Sequence, residues 1–387
     1  MRSIGVVTTA RSDYGIYRPL LQRLQADADI ELRVLVTGMH LSPEFGLTVK
    51  AIEADGLPIT ERVEMLLASD SPEGIAKSIG LGMLGFAQAY ARSRPDLLIV
   101  LGDRFEMYAA ALAAVPFTIP LAHIHGGEVT HGAIDDALRH SLTKFSHLHF
   151  VSTDEYARRV RQLGEEPWRV CVAGAPSLDN LRTVQLLSPD EVRQQYGISL
   201  QVPPLVVTFH PVTLEPGQAE AQITELLAAL AEADLPVVFT GVNADTGGRI
   251  IQQKISAFAQ AHTAVWLLDS LGTRGYFSLM KFAGALVGNS SSGLIEAPSF
   301  ELPVVNIGTR QAGRVRAANV IDVGTDRAAI LAGIRQAVSP EFRAGLRGLI
   351  NPYGDGTAAE KIVARLKQVD LDQRLIMKRF VDWPEAA

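Results

Sequence analysis

Short, continuous apolar runs that stop abruptly at glycine, charge or hydroxyl punctuate this chain. Leu97-Leu98-Ile99-Val100-Leu101 ends at Gly102-Asp103-Arg104, and Ala285-Leu286-Val287 ends at Gly288-Asn289-Ser290. An uninterrupted apolar strand needs cover on both faces, whereas a strand half open to water alternates. Helical spacing follows several of these runs, as in Tyr17, Leu20, Leu21 and Leu24 after the run Ser3 to Thr8. The βαβ rhythm predicts an α/β chain of doubly wound parallel sheets.

Further strands are expected over Leu32 to Val36, Ile59 to Met65, Ile119 to Ile124, Leu148 to Val151 and Arg169 to Ala173 in the first half. In the second half they are expected over Leu205 to Phe209, Pro236 to Thr240, Val265 to Leu268, Gly284 to Val287, Pro303 to Asn306 and Asn319 to Asp322. Thr9 to Gly15 reads as a turn before a helix over Ile16 to Ala26. Ser71 reads as the cap of an apolar helix running to Tyr90 and carrying Gly80, Gly82 and Gly85, a candidate subunit contact or ordinary core packing. Other helices are expected from Ile134, over Gln218 to Ala233, Thr246 to Gln260, Leu294 to Phe300 and Ala358 to Arg379. Ser188-Pro189-Asp190-Glu191 reads as part of a polar connector.

With 387 residues, 47% of them hydrophobic, the chain can fill two cores. Two Rossmann-like domains facing a central cleft are expected, over 1–180 and 181–357, with 358–387 a helical tail crossing back onto the first. The balance of 36 basic against 42 acidic residues, without a basic block, excludes a nucleic-acid footprint. A single cysteine, Cys171, can form neither an internal disulfide nor a thiol zinc site. With no signal peptide and no apolar run of membrane-spanning length, a cytoplasmic protein with no membrane partner is expected.

Ligands of doubly wound sheets lie outside the carboxyl ends of the strands. Asp103, Arg104, His125 and Glu128 should therefore converge with Arg11 and His40. The acids Asp103, Glu128 and Asp135 are suited to proton transfer if one is held ionised and another protonated. The alternative is that they only orient Arg104 or Arg139 through ion pairs. Gly288 to Glu296 (GNSSSGLIE) offers hydroxyls and backbone N–H groups to an anion, and its glutamate can accept bonds from a diol. A phosphate beside a diol is what a nucleotide presents, although a serine-capped helix after a buried strand fits the same residues. GxGxxG is absent after the first strand, and so is the phosphate-binding GxxxxGK[ST], which disfavours dinucleotide binding in its usual mode. His123 and His125 supply at most half a metal site, so no metal and no cofactor are expected.

The segments TTARSDYG, VTGMHLSPEFG, LGDRFE, HIHGGE, IDDALRHSLTK, FHPVTL, NADTG, GNSSSGLIE and NIGTRQAGR run in order from residue 8 to 314. Together they resemble the hydrolysing UDP-N-acetylglucosamine 2-epimerases, the NeuC-like enzymes of sialic and legionaminic acid biosynthesis. The resemblance implies a GT-B fold with a nucleotide sugar as substrate, and a homodimer or homotetramer is expected, the apolar helix near Ile75 to Tyr90 being the candidate contact. It also implies elimination of UDP across C1 and C2 to a glycal, then hydration with inversion at C2 to a free sugar such as N-acetylmannosamine. By the same resemblance Asp103, Glu128 and Asp135 are acid/base candidates, and His210 lies near the leaving diphosphate. Arg11, Ser290, Ser291 and Arg310 are implied as diphosphate and nucleotide contacts, Glu296 as ribose ligand, and Asn243 and Asp245 on the sugar side. His125 stands where wider members carry glutamate. The stretch Ser69 to Gly74 also resembles enzymes acting on 2,4-diacetamido sugars, UDP- or GDP-linked. A GT-B glycosyltransferase and a binding sensor without turnover are the competing readings.

Overall fold

A computed structural model describes residues 1–69, 71–130, 134–212, 217–241, 248–268 and 271–382. The chain divides into two compact units: Met1–Glu128, Ile134–Arg182 and Tyr353–Ala387 form the first, and Val129–Ala133 with Thr183–Pro352 the second.

In the first unit the described residues form a seven-stranded sheet of β1 (Arg2–Thr8), β2 (Ile30–Thr37), β3 (Ile59–Val63), β4 (Leu97–Leu101), β5 (Leu121–Ile124), β6 (Leu148–Val151) and β7 (Val170–Val172). The strand order is β3-β2-β1-β4-β5-β6-β7, and every pairing is parallel. The uninterrupted apolar run of β4 is buried at all five positions, as cover on both faces requires. In the second unit β8 (Leu205–Thr208), β9 (Val237–Thr240), β10 (Val265–Leu268), β11 (Ala285–Gly288), β12 (Val304–Ile307) and β13 (Val320–Val323) form a six-stranded parallel sheet, ordered β10-β9-β8-β11-β12-β13. Each sheet has its own apolar core. The expected class of two Rossmann-like, doubly wound domains is what forms. In both sheets the chain reverses direction beside the first strand, between β1 and β4 and between β8 and β11, and ligands of such sheets bind outside that switch point.

Local expectations differ from the structure at four places. The first helix spans Arg11–Ala26 and so begins inside the stretch read as a turn. Buried Asp13 accepts from the Thr9 N–H and hydroxyl, which closes the chain reversal within two residues. The connector after the first unit contains a helix, Pro189–Tyr196, opened by a reciprocal bond pair between Ser188 and Glu191 and ended by Gly197. Helix beyond Ser291 is a single turn, Ser292–Ile295, followed by a 3-10 turn over Ala297–Phe300, because Pro298 has no N–H to continue the ladder. The carboxyl-terminal helix is broken into Ala358–Gln368 and Gln373–Ile376, the second piece capped by Asp372.

Gly82 and Gly85 of the helix Pro72–Arg92 serve packing, while a Cβ on Gly80 would meet nothing within 4 Å. A Cβ on Gly82 would meet Met65 at 2.7 Å, and one on Gly85 would meet Val63 at 2.6 Å. Leu81 and Leu84 of the same helix are exposed.

The carboxyl-terminal segment is part of the first unit's structure. Ile362, Val363 and Leu366 join its core, and the Asp179 carboxylate receives the N–H groups of Ala358 and Ala359 at 2.9 and 2.6 Å. Farther along, buried Arg169 donates to the carbonyls of Arg374 and Leu375. Glu165 receives Lys144 Nζ at 2.6 Å, Lys378 Nζ at 2.8 Å and His149 Nε2 at 3.0 Å. Burial by itself raises the Glu165 carboxyl, but the histidine and the two ammonium groups outweigh it and hold it at about 2. A depressed acid stabilises the fold above its ordinary range and loses that contribution as pH falls through its folded value. The urea midpoint of the first unit is therefore expected to fall between about pH 4.5 and 2 with a component that Glu165→Gln removes. An unchanged acid limb in that variant would show that the cluster contributes nothing.

Candidate active site

In the first unit the acids gather around one buried cation. Arg139, 3% exposed on the helix Ile134–Phe145, forms an ion pair with Asp103 at the end of β4. Its Nη1 donates to the His125 carbonyl at 2.8 Å and stands 3.9 Å from Glu128 Oε2. Burial works against the guanidinium charge, yet Asp103, Glu128 and Asp135 raise its pKa above the ordinary arginine value. Asp135, in the first turn of the same helix, is raised by burial and then by the Asp103 charge. The site thus combines an arginine-paired carboxylate with one whose proton affinity is raised.

His125 lies just past β5 with φ at +63°, a left-handed conformation that is uncommon outside glycine. Its Nδ1 is 2.6 Å from Glu128 Oε1 and 3.0 Å from Ser152 Oγ. His123, two residues earlier, is fully buried between the Gly102 carbonyl at 2.8 Å and Thr143 Oγ1 at 3.2 Å, and burial lowers it to about 3. The two histidines thus have separate surroundings, and no group of three or more His, Cys, Asp or Glu among the described residues is placed to hold a metal ion.

The loop after β1 and the first residues after β4 share a second charged group. Arg104 donates to both Glu106 oxygens, at 3.2 and 3.0 Å, and buried Asp13 is close enough to raise its pKa further. His40 is fully buried with Nε2 3.0 Å from Thr8 Oγ1 and Nδ1 2.7 Å from Thr48 Oγ1, and burial lowers it to about 4. Both of its ring nitrogens are therefore occupied by threonines. Arg11 is exposed at the first position of its helix.

In the second unit the switch point is built on Asn289. Its side chain receives the His210 N–H and donates to the His210 carbonyl, both at 2.8 Å, tying the end of β8 to the end of β11. Arg310 and Gln311 donate to the Asn289 carbonyl at 3.0 and 2.8 Å. Burial and then the Arg310 charge push His210 down to about 3, so it is a neutral imidazole at neutral pH. Ser290, Ser291 and Arg310 are partly exposed, while Glu296 is buried. Tyr276, on the helix Gly272–Phe282, is hydrogen-bonded to Ser292 and Thr208 beside Glu296, and burial holds its phenol well above the ordinary range. Asn243 and Asp245 lie outside the described residues.

Each unit therefore brings together most of its candidates at its own switch point. Tyr276, Gln311, Asp13, Glu106 and Ser152 were not anticipated. For Tyr276 there was no motif to find, since it reaches the site from a helix whose pattern carries no chemistry of its own.

A family model described as UDP-N-acetylglucosamine 2-epimerase matches residues 22–367. This chain belongs to the UDP-N-acetylglucosamine 2-epimerase family. The epimerase family also supplies relatives similar along the full length. A GDP/UDP-N,N'-diacetylbacillosamine 2-epimerase (hydrolyzing) of Campylobacter jejuni is 39% identical over 385 residues, 98% of this chain and 99% of that one. Polysialic acid biosynthesis protein P7 of Escherichia coli is 39% identical over 387 residues, 100% of this chain and 98% of its own. A UDP-N,N'-diacetylbacillosamine 2-epimerase (hydrolyzing) of Legionella pneumophila is 37% identical over 379 residues, 98% of this chain and 99% of that one. The crystal structure of a UDP-GlcNAc 2-epimerase from Neisseria meningitidis bound to UDP-GlcNAc shares the fold, with a TM-score of 0.83 at 20% identity over 95% of this chain and 100% of that one. The epimerase fold, GT-B in class, is thus the one the resemblance implied, and its two parallel sheets are those the βαβ rhythm predicted. No helix among the described residues is long and apolar enough to cross a membrane.

Proposed function

We propose that this chain is a hydrolysing 2-epimerase of a UDP-linked 2-acetamido hexose, releasing UDP and the free sugar inverted at C2. The observation that carries the reading is the cluster of Asp103, Glu128 and Asp135 around buried Arg139 at the first switch point. Removing a weakly acidic C2 proton and returning one to the other face needs a base and an acid with different proton affinities. Asp135, raised by burial and then by the Asp103 charge, is the member of the cluster suited to the acid half. The second unit takes the nucleotide: Ser290, Ser291 and Arg310 hold the diphosphate and Glu296 receives the ribose hydroxyls. His210, being neutral, donates a hydrogen bond there and not a charge. We assign His40 to packing, because threonines occupy both of its nitrogens.

UDP-N-acetylglucosamine is the first substrate to test. A second reading, a 2,4-diacetamido hexose on UDP or GDP, is favoured by the activities for which the Campylobacter and Legionella relatives are named, 39% and 37% identical to this chain. In deuterated water the enzyme is expected to release nucleoside diphosphate and a C2-deuterated, C2-inverted free sugar from one member of a panel of both sugars on both nucleotides. Release of an unlabelled, uninverted sugar, or turnover only when an acceptor is supplied, would rule the reaction out, the second in favour of a glycosyltransferase.

A further inference from the structure

We infer that His125 Nε2 is the base that removes the C2 proton, and that Glu128 acts only through it as a positioning residue; this rests on the 2-epimerase reading above. Three observations converge on the ring. Its backbone is held at φ +63° by two bonds, the His125 N–H to the Phe150 carbonyl at 3.1 Å and Arg139 to the His125 carbonyl at 2.8 Å. A left-handed conformation at a residue with a Cβ is maintained against its own preference only when the surroundings fix it, and such residues concentrate at reacting centres. Next, Nδ1 meets Glu128 Oε1 at 2.6 Å, and an ionised carboxylate can only accept. In the neutral imidazole the proton is therefore on Nδ1, and Nε2 carries the lone pair. Lastly, Nε2 has no hydrogen-bond partner among the described residues, while Glu128 is 2% exposed, with Ser152 Oγ 3.3 Å and Arg139 Nη1 3.9 Å from its oxygens. Glu128 and Ser152 thus engage the Nδ1 edge of the ring and leave Nε2 as the nitrogen open to a substrate.

The proton balance closes with groups already described. In the elimination Nε2 takes the C2 proton, the C2–H electron pair becomes the C1=C2 double bond, and the C1–O bond breaks with its pair leaving on the diphosphate. The imidazolium so formed is stabilised by Glu128 and later returns its proton to solvent. In the hydration Asp135 gives a proton to the other face of C2, water oxygen bonds to C1, and the proton released by that water restores Asp135. The raised proton affinity of Asp135 suits it to this half. Arg139, paired with Asp103 and near Glu128, offsets the negative charge of the cluster.

The test is a kinetic cycle on the full chain with the panel sugar that the wild type turns over. His125→Gln is expected to lower kcat roughly 10²- to 10⁴-fold with KM little changed. Glu128→Gln is expected to lower kcat less, again with KM little changed, and the double variant to be no slower than His125→Gln alone, since the carboxylate has no ring left to orient. Ser152→Ala, which disturbs the pair least, gives the same cycle if Glu128→Gln does not fold; its loss should vanish in the His125→Gln background. Losses that multiply would put Glu128 or Ser152 on the substrate independently and overturn the proposal. An active wild type whose His125→Gln variant keeps its kcat overturns this proposal alone, and a wild type inactive on every sugar overturns the functional reading together with it.

Discussion

Gly288→Val is expected to abolish cooperative folding of the second unit. Gly288 closes β11 with φ at +135°, and a Cβ built there would stand 1.9 Å from the Thr208 carbonyl oxygen, its partner across the β8–β11 pair. That neighbour is backbone and cannot swing aside, so the two central strands must part. The same carbonyl receives the Asn289 N–H at 3.1 Å, and Asn289 in turn holds both backbone groups of His210. Steric relief of about 3 kcal/mol or more, added to roughly 1–3 kcal/mol for the φ, is comparable with the whole stability of a typical domain. The control is Gly46→Ala, at φ +81° with nothing within 4 Å, which should cost only about 1–2 kcal/mol. Urea unfolding followed by circular dichroism separates them: the second unit's transition should be missing in Gly288→Val and intact in Gly46→Ala, whose modest cost falls on the first unit. Equal midpoints for the two variants would mean that the β8–β11 junction yields easily and that its glycine is there for another reason.

Gly288 also shows why the sheets were legible in the sequence and several helices were not. A parallel strand buried on both faces must be continuously apolar, so Leu97–Leu101 and Leu205–Thr208 announce themselves. Helix ends depend on which side chain turns back onto the backbone. Asp13 folding onto Thr9 moved the first helix start from Ile16 to Arg11, and Pro298 cut the helix after Ser291 to one turn. The helix Pro189–Tyr196 was legible after all, because Ser188 and Glu191 have the spacing of a reciprocal cap that the polar composition of the connector obscured. The break after Gln368 was not legible, because the tail is held by Arg169 and Glu165, more than 200 residues earlier in the chain.

The candidate site divides along the same line. Residues that terminate a strand beside the switch point, Asp103, His210, Asn289 and Ser290, follow from strand position alone. What position alone does not give is how side chains share partners. His40 ends up between two threonines and His125 on Glu128, although each follows a strand by a few residues. Arg139 was anticipated only as an ion-pair partner, and its part as the common countercharge of the acids depends on the register between its helix and β4.

That countercharge makes the last prediction large. Arg139→Met is expected to destabilise the first unit by about 3–5 kcal/mol, the range for breaking a buried ion pair from one side, because Asp103, Glu128 and Asp135 are left together without their cation. The exposed pair of Lys77 with Glu73 is the contrast, and Lys77→Met should leave the urea midpoint nearly unchanged. In the variant the clustered acids must take up a proton to coexist, so the folded state binds more protons than the unfolded chain. Raised folded pKa values give stability that is present at low pH and lost as pH rises. The deficit of Arg139→Met should therefore shrink as pH is lowered from about 7 towards about 5, whereas that of a simple packing variant stays constant. Arg139→Lys should not restore the wild type, since one ammonium on a flexible stem cannot reproduce the planar fork that meets Asp103 and the His125 carbonyl together. Urea midpoints for the three variants across that pH range, each paired with kcat, test the assignment. A pH-independent deficit, or full rescue by lysine, would reduce Arg139 to a space-filling cation and leave the acids to hold their charges by other means.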